Sequence, residues 1–110
     1  MDLILFVTLG LISPAVGQEE AKPSAATRTI TALFVCERGK TVRAAFTNGP
    51  QSHVTLSLSD GRKLGLPQVI AASGARYANG DESFVFWNKG NTAFIEESGK
   101  LTFAGCIAKR

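Results

Sequence analysis

Apolar and polar residues alternate with a period of two through most of the chain beyond Thr29. Thr29, Thr31, Leu33 and Val35 alternate with Ile30, Ala32, Phe34 and Cys36. Apolar residues fall in both sets, so the pattern predicts a first strand covered on both faces. A turn at Gly39 leads into a second strand from Lys40 to Phe46. Val54, Leu56 and Leu58 then alternate with Thr55, Ser57 and Ser59, an amphipathic strand that stops at the hairpin dipeptide Asp60-Gly61. Leu64 and Leu66 continue the alternation. Pro67, which has no N–H to give a ladder, marks a strand boundary or edge, and Val69 to Ala72 reads as another short strand. Asn79-Gly80, Lys89-Gly90 and Ser98-Gly99 mark three further turns. Phe84 and Phe86 alternate between the first two; Leu101, Phe103 and Gly105 alternate with Thr102, Ala104 and Cys106 after the last.

About eight short strands at spacings near ten residues, with no helical periodicity among them, predict an all-β domain. Antiparallel strands of this number, joined consecutively, close into a small barrel, and closure removes exposed edges. A two-sheet sandwich is the nearest alternative.

The first residues read differently. Residues 3–16 (LILFVTLGLISPAV) form an apolar run too short to span a bilayer, and Ala15 and Gly17 suit a signal-peptidase site. The n-region, Met1-Asp2, lacks the usual Lys or Arg. The expected organisation is a signal peptide over 1–17, a polar linker over 18–27 and one domain over 28–110. No cysteine stands at the cleavage site to take a lipid, so the mature protein is expected free in the periplasm, with no stable membrane anchor.

Export changes the meaning of the two cysteines. An even count in a small exported domain favours a disulfide, here Cys36–Cys106. It would tie an early strand to the last one, which are neighbours in a closed meander. Two cysteines and the single His53 lack the number and spacing of a metal site. The formal net charge is +3, but the cationic residues are scattered singly rather than clustered among aromatics, which argues against nucleic acid.

Taken one at a time, the polar residues at turns read as structural. Ser73 follows an apolar strand as an ordinary turn hydroxyl. As a nucleophile it would need a general base, and neither a nearby histidine nor a Gly-x-Ser-x-Gly elbow is present. Lys89 reads as a solubilising charge at a hairpin tip, Gly90 as the positive-φ residue of the turn, and Trp87, Phe84 and Phe86 as wall or core residues. Tyr77 reads as a support whose phenol holds the 73–77 loop through a backbone hydrogen bond. No enzyme emerges.

The combination says more. Ser73-Gly74-x-x-Tyr77, then Trp87-x-Lys89-Gly90-x-x-Ala93, then a cysteine near the C-terminus, resemble the bacterial inhibitors of C-type lysozyme. That family has lipid-anchored and free periplasmic forms. Cys36-x-x-Gly39 and the 56–66 stretch around Asp60-Gly61 also fit, so the resemblance covers about residues 33–107. One departure stands out. Some free members carry Tyr-x-x-x-Thr-Lys-Gly where this chain has Phe84-Val85-Phe86-Trp87-Asn88-Lys89-Gly90; the Lys-Gly is kept.

The resemblance implies an eight-stranded barrel that inserts its Ser-Gly-x-x-Tyr loop into the lysozyme cleft. There the serine hydroxyl and the lysine ammonium would engage the two catalytic carboxylates. Ser73, Gly74, Arg76, Tyr77, Lys89 and Gly90 become the expected lysozyme-binding residues. The expected partner is a C-type lysozyme, without cofactor or metal, and edge-like strands could support a homodimer. The alternative is a small exported barrel that carries an apolar or anionic molecule inside.

Overall fold

A computed structural model describes residues 27–109; the expected signal peptide and most of the linker lie outside them. Eight strands run in order: β1 (Arg28–Val35), β2 (Thr41–Asn48), β3 (His53–Leu58), β4 (Lys63–Val69), β5 (Ala75–Ala78), β6 (Phe84–Lys89), β7 (Thr92–Glu97) and β8 (Lys100–Ala108). Each pairs antiparallel with the next, and β8 returns to β1 to close a barrel. The barrel expectation holds and the sandwich does not.

The closing seam is short. Only Phe34↔Ala108 and Val35↔Ile107 pair across it, extended by the Lys109 N–H donating to the Leu33 carbonyl at 2.8 Å. Cys36 and Cys106 follow immediately along the same two strands and are bonded at 2.05 Å. The crosslink therefore adjoins one of the two shortest ladders of the barrel, the other being β4–β5.

Two expectations are corrected. The first strand is not covered on both faces: residues 28–31 are exposed on both sides, Ile30 at 56%, and only Phe34 of β1 is buried. The separate strand expected over 69–72 does not form. Instead β4 runs unbroken through Pro67 to Val69, and residues 70–74 are a loop. Pro67 fits inside β4 for a local reason. The Gln68 N–H points toward β3, donating to the Ser52 carbonyl at 3.0 Å, so the Pro67 nitrogen points the other way. On that side the β5 ladder begins only at Gln68↔Tyr77.

Inward-facing residues from all eight strands fill the barrel. Val54, Leu56 and Leu58 of β3 are buried, as the alternation predicts. The rings of Phe34, Phe46, Tyr77 and Phe86 meet across the interior at centroid separations of 5.8 to 6.1 Å. No polar or charged side chain is buried among the described residues.

One end is closed by charge. Arg62, in the β3–β4 turn, donates to both carboxylate oxygens of Glu97 on β7, at 2.8 and 2.9 Å, and through Nε to Asp60 at 2.9 Å. Its guanidinium lies over Phe84, 5.7 Å from the ring centroid. The hydrogen bonds from Arg62 hold both carboxyls below their ordinary range. Carboxyls lowered in this way stabilise the fold above their unfolded pKa, and the contribution is lost as pH falls through the folded value. Arg62→Ala is accordingly expected to lower the melting temperature at neutral pH. The gap from wild type should narrow as pH drops below about 4. A gap that stayed constant in thermal melts down to that range would show that these ion pairs do not matter.

Candidate functional site

In an up-and-down barrel, successive connections alternate between the two ends. The 70–74 loop between β4 and β5 and the tip at 90–91 between β6 and β7 are two connections apart, so they share an end. The Arg62 cluster lies at the other. Because β5 pairs with β6, the loop and the tip are also lateral neighbours: Ala75 pairs with Asn88, which brings Gly74 level with Lys89.

Gly74 makes that approach possible. Its φ is +69°, and a Cβ built there would lie 2.8 Å from the Asn88 carbonyl oxygen and 3.2 Å from the Lys89 Cβ. Any side chain would meet both the left-handed penalty and fixed backbone. Gly74→Ala is expected to cost about 1–3 kcal/mol of stability and to push the loop away from Lys89. Denaturant melts together with binding measurements would check this; a variant unchanged in both would show that the close approach is unimportant.

The β6–β7 hairpin is braced from within. Asn88 Nδ2 donates to the carbonyls of Gly90 (3.2 Å) and Thr92 (3.1 Å), and Thr92 Oγ1 donates to the Lys89 carbonyl at 2.8 Å. Gly90 takes a φ of +59°, the turn role expected of it. Lys89 is thus held at its Cα while its side chain stays exposed.

Ser73 and Lys89 line one concavity of about 240 Å³, together with Trp87, Thr92, Ala93 and Phe94. Among the described residues, neither the Ser73 hydroxyl nor the Lys89 ammonium has a hydrogen-bond or ion-pair partner. Two donors, each without an internal acceptor, line the same concavity at the barrel rim and are exposed.

The other expected site residues have more internal roles. Arg76 donates to Glu82 at 2.5 Å and lies over Trp87, 5.6 Å from the ring centroid. Tyr77 is 3% exposed and packs against Phe46 and Phe86. Burial raises its phenol pKa. It supports the loop from beneath by packing, and not through the expected hydrogen bond to the backbone. Trp87 and Phe94 are the residues the sequence reading undervalued. Their rings stack at 6.1 Å on the outer face and form the apolar floor beside Lys89. A signal was available: a two-residue turn after Lys89 places Trp87 directly opposite Phe94.

Residues 34–102 match the family model described as membrane-bound lysozyme-inhibitor of c-type lysozyme, MliC. The chain belongs to this family. A Yersinia enterocolitica MliC, named a membrane-bound lysozyme inhibitor of C-type lysozyme, is 46% identical over 68 residues, covering 62% of this chain and 56% of the relative. The Escherichia coli protein of the same name is 35% identical over 80 residues, covering 72% and 68%. The chain therefore spans little more than half the length of the Yersinia MliC. Among solved structures, Pseudomonas aeruginosa MliC in complex with hen egg white lysozyme superposes with a TM-score of 0.63 at 25% identity, covering 92% of this chain and 99% of that one. The MliC family is one of inhibitors and not of enzymes. Its curated members are named as membrane-bound, whereas the sequence reading expects a free protein; that expectation rests on residues 1–26, outside those described.

Proposed function

We propose that this MliC-family protein inhibits a C-type lysozyme by seating the 70–74 loop and Lys89 in the active-site cleft. The observation that carries the proposal is the pair of unpartnered donors, Ser73 and Lys89, on one small concavity at the barrel rim. A retaining glycosidase holds its two carboxyls only about 5 Å apart in a groove. A hydroxyl and an ammonium side by side match such a pair and exclude the sugar. The P. aeruginosa relative's complex with hen egg white lysozyme supports this choice of partner.

The arrangement also limits what the two donors can do. Charge-assisted hydrogen bonds contribute roughly 1.5–3 kcal/mol each, against about 12 kcal/mol for nanomolar affinity. The rim must add shape and apolar contact. Ile70, 95% exposed at the start of the loop, and the Trp87–Phe94 pair are suited to that part. Long-range steering does not help, since the chain carries a formal +3 and C-type lysozymes are basic; the attraction is local. The disulfide fits an exported protein, because such bonds persist in oxidising compartments. The carrier alternative is less favoured, since aromatic rings already occupy the barrel interior.

The test is a turbidity assay in which a C-type lysozyme clears bacterial cell walls while this protein is titrated in. Inhibition that is competitive with the cell-wall substrate is expected. Unimpeded clearing at a large molar excess of the protein would sink the reading.

A further inference from the structure

Three large apolar residues of neighbouring strands, Val35 on β1 and Leu101 and Ile107 on β8, are left exposed by the barrel. Lys89 pairs with Thr92, Thr92 with Ile107, and Ile107 with Val35. These four lie in one row across β6, β7, β8 and β1, and all four are exposed. Three strand spacings make the row about 14 Å wide. Because barrel strands tilt and stagger, such a row descends obliquely from the rim along the flank.

The flank is a groove of about 470 Å³, walled by Phe94, Leu101 and Ile107 and floored at Gly105 and Cys106. Leu101 and Ile107 are 56% and 58% exposed. The irregular β7–β8 register, shifting between Ala93 and Glu96, opens the wall there. Thr92, Ala93 and Phe94 line this groove and the Ser73–Lys89 concavity alike, so the two are continuous.

Two carboxylates stand at the groove, one in its lining and one at its edge, with Arg38 and Lys40 beside the second in an adjoining concavity. Glu96 lines the groove. The Glu37 carboxylate sits against Gly105, where a Cβ would come within 2.7 Å of its Oε2. Neither carboxylate has an ion-pair partner among the described residues. An apolar trough edged by two unpaired acids suits an apolar ridge carrying basic side chains.

We infer that this groove is a second contact surface for the same C-type lysozyme, receiving a basic, apolar ridge on the outside of the cleft while the loop fills the cleft. The inference rests on the inhibitor reading and supplies what that reading lacks. A five-residue loop and a hairpin tip fall short of the roughly 800 Å² per partner of a standard interface, and the continuous flank makes up the difference. Its apolar centre carries affinity; Glu37 and Glu96 select a basic partner.

The experiment measures affinity for a C-type lysozyme by calorimetry with wild type, Lys89→Ala, Ile107→Asp and Leu101→Asp, with melting temperatures and sedimentation alongside. Ile107 and Leu101 are exposed, so the folded state should tolerate both changes. Each aspartate variant is expected to bind at least tenfold more weakly with its melt unchanged, and a Glu96→Lys variant to lose affinity in the same direction. If Lys89→Ala weakens binding while both aspartate variants match wild type, the groove is not a lysozyme contact and the cleft reading stands alone. A wild-type dimer that Ile107→Asp converts to a monomer of undiminished affinity assigns the groove to a second copy and overturns the inference. Wild type that binds no lysozyme overturns the groove and the cleft reading together.

Discussion

Lys89→Ala is expected to weaken inhibition of a C-type lysozyme by roughly ten- to a hundredfold, the equivalent of one charge-assisted hydrogen bond. The lysine has no acceptor within the described protein, so its removal should leave the fold intact and take away only what it would give a partner. Ser73→Ala should act in the same direction and more weakly, since its hydroxyl is neutral. The lysine also predicts a pH dependence. In C-type lysozymes the general-acid glutamate titrates near about 6. An adjacent ammonium favours its ionised form, so complex formation should strengthen as pH rises through that value and level off above it. Lys89→Ala should flatten this dependence as well as lower the affinity. Binding measured from mildly acidic to neutral pH separates the two effects: an equally steep profile in the variant would place the lysine away from the glutamate.

Opening the Cys36–Cys106 bond should have the largest effect on stability. The bond closes a loop of sequence separation 70, and in the chain-entropy model removing it costs about 4 kcal/mol. For a domain of this size that corresponds to a fall in melting temperature on the order of 15–30 °C. The position of the bond argues for the upper part of that range. It adjoins a seam of two residue pairs, so without it β8 can peel from β1 and expose Phe34 and Phe103, both now buried. Thermal melts of wild type with and without reductant, and of the Cys36→Ser/Cys106→Ser variant, are the measurement. A shift of only a few degrees in both would mean that the seam holds by its hydrogen bonds and packing alone.

Much of the architecture was legible in the order of residues. Val54, Leu56 and Leu58 announce an amphipathic strand because side chains alternate faces, and each turn is marked by a glycine-bearing dipeptide. Two cysteines permit one pairing. Less legible were features that depend on what lies alongside. The first strand looks doubly covered because its apolar residues fall on both faces, yet nothing packs over residues 28–31, which stay exposed. Pro67 looks like a strand's end, yet β5 begins so late that its missing N–H faces no acceptor. Tyr77 stands within a loop motif, yet its ring belongs to the core.

For the site, the residue sequence by itself determined the components: a Ser-Gly loop, a Lys-Gly tip, and the family to which both belong. Only the tertiary structure decided that they are neighbours with unpartnered donors, that the stacked Trp87 and Phe94 form the floor beside them, and that this floor continues into an open groove. Local pattern follows from the geometry of one strand, which nearby residues dictate. Proximity between loops, and the absence of an internal partner for a side chain, depend on barrel closure and register, which residues far apart in the chain set together.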